Sequence, residues 1–267
     1  MSVADHVISP PPARSAWRQV GTRRAFLAHL AISAIVVGTV CLLIFAVWYP
    51  RPYFEVKGAW NVLRVLIGVD LVLGPLLTLI LFRPNKPGLG LDVTMIAMIQ
   101  LAALVYGTSV IYQERPYYAV FAVDRFEVLA RGDVDPAAAA AVEFARKPAR
   151  GPALVYAERP TDVREFQRLL AETVFEGKPD LERRPEYWRA YGRHHAAILA
   201  RARPLAELAA RDADAAARVA RASRALDRDP QDLVTLPVIG TDGPLTLVLD
   251  PATLQPVDAL PIDPWAP

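Results

Sequence analysis

The sequence is short of the residues that most often carry chemistry. Its 267 residues include one cysteine, Cys41, set inside an apolar run. No intrachain disulfide can form, so whatever folds here is held by its core. Beyond Ser109 there is one serine, Ser223, which lies among Arg218, Arg221 and Arg224 without a GxSxG elbow. A glycine-rich phosphate loop and an HExxH zinc motif are both missing. His194-His195 is the one paired-histidine site, and neighbours on a helix point in different directions, which makes joint ligation awkward. The carboxylates are scattered, with no pair placed for glycoside hydrolysis. Strong charge is lacking too: 30 Lys and Arg stand against 28 Asp and Glu, which does not suggest a nucleic-acid binder. The expectation is a protein that is not an enzyme, with no catalytic, cofactor-binding or metal-binding residue and no cofactor.

What the chain does have is apolar length. It is 53% hydrophobic and its mean hydropathy is positive. Ala25 to Tyr49, Trp60 to Phe82 and Leu91 to Tyr112 each exceed the roughly 20 residues that span a hydrocarbon core. The first run is too long for the apolar part of a cleaved signal peptide and ends in an aromatic anchor, Trp48-Tyr49-Pro50. The fold class expected is a membrane protein: three N-terminal transmembrane α-helices followed by a small α+β extracytoplasmic domain. Residues 1–24 read as a disordered cytoplasmic tail, 25–113 as the membrane domain and 114–267 as the α+β domain. Residues 50–59 read as a short loop, and Asp92 as a cap or dipole partner for the third span. Six Lys and Arg flank the tail and second loop (Arg14, Arg18, Arg23, Arg24, Arg83, Lys86). Four flank the other side (Arg51, Lys57, Arg115, Arg125). That bias places the N-terminus inside and the C-terminal domain outside.

In the C-terminal part, Tyr117 to Leu129 predicts two strands or one bent strand, and Ala153 to Ala157 another. Helices are expected over Ala137–Arg146, from a Thr161 cap to about Phe175, and over Glu186–Arg201, Leu205–Arg211 and Asp214–Leu226. Phe166, Leu169, Leu170 and Val174 recur at helical spacing. Trp188, Tyr191, His195 and Ile198 do the same, which reads as a buried helix face. Leu233–Ile239 and Leu245–Leu249 suit a hairpin around Gly240-Thr241-Asp242-Gly243-Pro244, before a Pro-rich tail from Pro251. The Arg-rich stretch from Arg211 to Arg228, interspersed with aspartates, reads as a salt-bridged surface.

The sharpest feature is Asp70, an acid in the middle of the second span. Such a residue costs about 2.5–3.5 kcal/mol to insert, so it marks a functional or packing site. Counting about 1.5 Å per residue puts Asp70 about 15 Å below Trp60, Gln100 about 13 Å above Leu91 and Ser33 about 12 Å up the first span. The three fall near one depth. A protonated Asp70 donating to Gln100 or Ser33 would fasten the spans together. The competing roles are contact with a partner's membrane helix and proton chemistry. Proton chemistry is weakened because no second ionisable group shares the depth. Gly74-Pro75 suits a kink or a close approach of another helix. Arg64, on a different face from Asp70, is free to snorkel to the headgroups.

The runs WYPRPYFEVKGAW, GVDLVLGPLLTLILF and LDVTMIAMIQLAALVYGTSVIYQERPYYAVFAVDRFEV resemble the TfpX/TfpZ type of type IV pilin accessory proteins. RARPLAEL and LTLVLDPATLQPV extend the likeness. The resemblance implies a multi-pass protein of a Gram-negative inner membrane, with a periplasmic C-terminal domain, that supports pilin. It implies no catalytic residue. Type IV pilin would be the partner, its long apolar helix held near Asp70, Gly74, Pro75, Gln100 and Ser33, and its charge met by Arg51, Lys57 and Arg64. The alternatives are a membrane enzyme that modifies pilin and a ligand-sensing receptor.

Overall fold

The computed structural model describes residues 21–84 and 86–266. Residues 1–20, most of the expected tail, including Arg14 and Arg18, lie outside the described residues. By its contacts the chain divides into two compact units. One takes the chain up to Gly38 with Val65–Val105; the other takes Thr39–Arg64 with everything from Tyr106 on.

Among the described residues, three helices are long and apolar enough to cross a membrane. The first, α1, runs Thr22–Trp48. It begins inside the stretch read as tail, because the Thr22 hydroxyl donates to Phe82 O at 2.9 Å and ties the first turn down. A short helix, α2, follows at Tyr53–Val56. Then come α3, Trp60–Leu81, and α4, Leu89–Gln113. A third of the apolar window of α3 is buried (33%), against 17% for α1 and for α4, so α3 is the helix the others pack on. The outward sides carry exposed Ile32, Ile35, Leu42, Val72, Met95 and Met98. Asp92 sits in the first turn of α4, where an acid suits the helix dipole, and also pairs with Lys86 at 2.6 Å.

The second unit is built on a mixed sheet. In chain order its elements are β1 Tyr118–Ala122, β2 Arg125–Leu129, α5 Pro136–Ala140, β3 Ala153–Ala157, α6 Val163–Phe175, β4 Trp188–Ala190, α7 His195–Leu199 and β5 Arg203–Pro204. Then follow α8 Leu205–Ala209, α9 Ala213–Leu226, β6 Val234–Gly240, β7 Gly243–Leu249 and β8 Pro256–Leu260. The order is β4-β3-β1-β2-β6-β7-β8, and β5 pairs with the start of β6. Strands β1 and β3 run parallel, as do β2 and β6; the other pairs are antiparallel.

Side-chain alternation along each strand feeds both faces. Val120, Leu129, Val155 and Trp188 pack on one face beneath Leu169 of α6. Phe121, Phe126, Leu236, Val238 and Leu247 pack on the other, with Ile198 of α7 and with Tyr53 and Val56 of α2. Val248 and Leu260 hold a third cluster against Leu205, Leu208, Val219 and Ala222.

Several sequence expectations need correction here. Residues 50–59 are not a bare loop: Val56 is fully buried in the sheet's core, and Thr241 donates its N–H to Val56 O at 2.9 Å. The helix expected over Glu186–Arg201 is broken, because Trp188–Ala190 pairs with β3 as an edge strand and satisfies its backbone there instead. Trp188 and Tyr191 therefore enter cores on opposite faces rather than sharing one helix face. The helix expected over Ala137–Arg146 stops at Ala140 and resumes as a tight turn at Glu143–Ala145, which lets both Ala139 and Ala145 reach the core. The cap of α6 is Asp162, which accepts from Glu165 N at 2.9 Å, and not Thr161. Of the four apolar α6 positions, Leu169 is buried while Leu170 and Val174 are exposed. Tyr117–Leu129 resolves into a tight hairpin, with Val123 at φ 59° between its strands. Strand β8 lies in the Pro-rich tail, where no strand was expected.

Candidate functional site

In the first unit, the middle of α3 is not α-helical. Gly68–Leu73 forms a π-helical segment, and Gly74 donates its N–H to Val69 O, five residues back. The next donor in that series, at position 75, would reach Asp70 O. Pro75 has no N–H, so the Asp70 carbonyl is left open. Gln100 of α4 fills it: its Nε2 donates to Asp70 O at 3.3 Å and lies 3.5 Å from Asp70 Oδ1. A neighbouring helix that satisfies a carbonyl freed by proline is how apolar spans tolerate such breaks.

The approach needs Gly74. A Cβ built there would fall inside the Gln100 carboxamide. Asp70 is 5% exposed and Gln100 8%, while Asp70 Oδ2 and Gln100 Oε1 find no hydrogen-bond partner among the described residues. Asp70, Gly74, Pro75 and Gln100 thus form one lock between α3 and α4. A second link joins α1 to α3, where His29 Nδ1 lies 2.6 Å from the buried Thr78 Oγ1.

In the second unit, a groove of about 770 Å³ opens where α1 ends and α3 begins. Its floor is aromatic: Phe45, Tyr49 and Trp60 surround Phe54, with centroids 4.6, 6.3 and 6.0 Å from it. The Tyr49 hydroxyl donates to Ile111 O at 2.7 Å. Arg51 and Arg64 line the groove, as do Glu55 and Asp242. The Arg64 guanidinium lies 5.3 Å from the Trp60 ring centre. Asn61 donates to Asp242 at 3.5 Å.

The profile of the fimbrial assembly protein FimB family matches residues 16–58. A serogroup I fimbrial assembly protein of Dichelobacter nodosus is 37% identical over 186 residues, which is 68% of this chain and 70% of that protein. The chain belongs to the fimbrial assembly protein FimB family. A serogroup E1 protein of the same organism is 36% identical over 183 residues, covering 67% of this chain and 70% of its own length. A protein of serogroups C1 and C2 is 40% identical over 111 residues, 41% of this chain and 82% of that protein. No solved structure matches.

Among the residues singled out from the sequence of this family member, Asp70, Gly74, Pro75 and Gln100 come together. Ser33 is buried, but no hydrogen bond joins it to Asp70 or Gln100 among the described residues. Arg51 and Arg64 share the groove. Lys57 does not line it: its side chain is 10% exposed and pairs with Glu114 at 3.5 Å. His194 stacks on Tyr156 with centroids 4.1 Å apart, and His195 has a buried Nε2 with no hydrogen-bond partner among the described residues. Sequence reasoning missed the His29–Thr78 link, since a threonine in an apolar span gives little signal. It also missed Asp242, which reaches the groove only because the β6–β7 hairpin packs on α2.

Proposed function

We propose that the chain is a non-enzymatic accessory factor of type IV fimbrial assembly that sits in the bacterial inner membrane and binds or stabilises pilin. Membership of the fimbrial assembly family carries this reading. Its likeness to the TfpX/TfpZ type narrows the role to pilin support. The proposed topology has the N-terminus cytoplasmic and the sheet domain periplasmic. It draws support from α2: Tyr53 and Val56 share a core with strands that follow α4, so the chain between them crosses a bilayer an even number of times. α3 and α4 together meet that condition.

Deleting the gene tests the reading. Pilin level or surface fimbriae should fall while pilin transcription holds; unchanged fimbriae would sink it. The enzyme alternative is decided by the mass of mature pilin from the two strains, since a stable modification would shift it. Within the protein, Asp70→Asn should keep much of the function because its side-chain oxygen can still accept from Gln100, whereas Asp70→Leu, which has no such oxygen, should impair helix or partner association. Normal fimbriae with normal Asp70→Leu protein would defeat both roles for that residue.

A further inference from the structure

We propose that the aromatic groove of the second unit is a binding site for one phospholipid with an aminoethyl headgroup, a phosphatidylethanolamine. The groove opens at the end of α1 and the start of α3, two helices of membrane-crossing length. On the membrane placement proposed above, on which this assignment rests, their ends lie at headgroup level, where aromatic side chains also gather. Its volume of about 770 Å³ falls in the ~300–1,000 Å³ range of small-molecule sites.

The charges select the headgroup. Arg51, Glu55 and Arg64 form no ion pair among the described residues, and Asp242 receives one long hydrogen bond from Asn61. Two guanidinium groups suit a phosphodiester, since arginine matches phosphate oxygens with paired donors. Two carboxylates in the same groove suit an ammonium and repel a headgroup of net negative charge. A choline headgroup carries no N–H to donate to them. Phe45, Phe54 and Trp60 offer an apolar surface to the glycerol and first acyl carbons.

The test uses the full chain in nanodiscs containing equal parts of phosphatidylethanolamine, phosphatidylglycerol and phosphatidylcholine with identical acyl chains. Lipid retained after extraction is read by native mass spectrometry. Loss of charge-assisted hydrogen bonds in the choline lipid predicts about tenfold enrichment of phosphatidylethanolamine over phosphatidylcholine, and Arg51→Ala/Arg64→Ala, which removes the partners of the phosphodiester that both lipids carry, should lower the retention of both. Glu55→Gln/Asp242→Asn should hand the preference to phosphatidylglycerol while leaving retention intact, and Arg125→Ala, outside the groove, should change nothing. Equal retention of the three lipids by the wild type would overturn the proposal, as would preference for phosphatidylglycerol. So would undiminished phosphatidylethanolamine in the arginine variant. If the arginine variant fails to fold, judged by its circular dichroism, the exchange made by Glu55→Gln/Asp242→Asn decides.

Discussion

The two units solve the packing problem in opposite ways. The sheet unit buries Phe121, Phe126, Val238 and Leu247 almost completely, and water's exclusion drives its assembly. The helical unit leaves most of its leucines and isoleucines outward and buries Ser33, Asp70, Thr78 and Gln100. On the membrane placement proposed above, there is little hydrophobic driving force between the helices, so close approach and polar contacts have to provide the specificity. A polar residue that would weaken the sheet's core is therefore what defines the helical unit's interior.

The strongest way to break that comparison is to truncate the apolar core. Phe126→Ala, at a fully buried position between both halves of the sheet, should cost about 3–5 kcal/mol in denaturant unfolding of the full chain in detergent. A loss under about 1 kcal/mol would mean the sheet does not depend on this core.

The helical unit should respond less, and through geometry. Gly74→Ala forces its Cβ into Gln100 and should cost about 1–3 kcal/mol, as overpacking does. Gln100→Ala removes an interhelical hydrogen bond worth about 0.6 kcal/mol on average and at most about 1.7. The double variant relieves the overlap, so its cost should fall below the sum of the two. Strict additivity in a double-mutant cycle would show that the lock does not exist.

A further contrast is a pH dependence in the sheet unit. Burial, followed by a hydrogen bond with Glu127, pushes the Glu182 carboxyl from 4.5 up to about 7. The folded state then holds more protons than the unfolded one between those values, so stability falls as pH rises from about 4.5 to 7. Glu182→Gln should flatten that slope in thermal melts taken across the window. Burial also raises the Asp258 carboxyl, which adds a decline of the same sign, and the comparison with the variant isolates the Glu182 share. Glu172 and Asp250 are held below their ordinary values by Arg184 and by the Ala252 N–H respectively, so their stabilisation still grows with pH at the low end of this window and is shared by wild type and variant.

Much of the fold was legible because its signals are local. Three apolar runs, the β6–β7 hairpin and α9 all follow from composition and turn chemistry close to each element. The Asp70–Gln100 pairing was legible as well, since helix rise alone brings two positions to one depth. What it did not reveal is that Gln100 serves the Asp70 backbone carbonyl, because that depends on the π-helical register meeting Pro75. Trp188–Ala190 misled the reading since its helical spacing is real but its backbone is claimed by β3. The spacing of Phe166, Leu169, Leu170 and Val174 did mark α6, but apolar spacing does not say which positions find a partner, and Leu170 and Val174 are exposed.

The sequence by itself determined the three apolar runs that become long helices among the described residues, and the acid within the second. Those properties rest on residue type and on spacing along the chain. Only the tertiary structure decided that α2 belongs to the sheet's core and that Asp242 joins Arg51 and Arg64 in one groove. It also decided that Gly74 and Pro75 matter as a pair, one admitting Gln100 and the other freeing the carbonyl it reaches. Each of these depends on groups distant in sequence meeting at hydrogen-bond or van der Waals range, and no local pattern encodes that meeting.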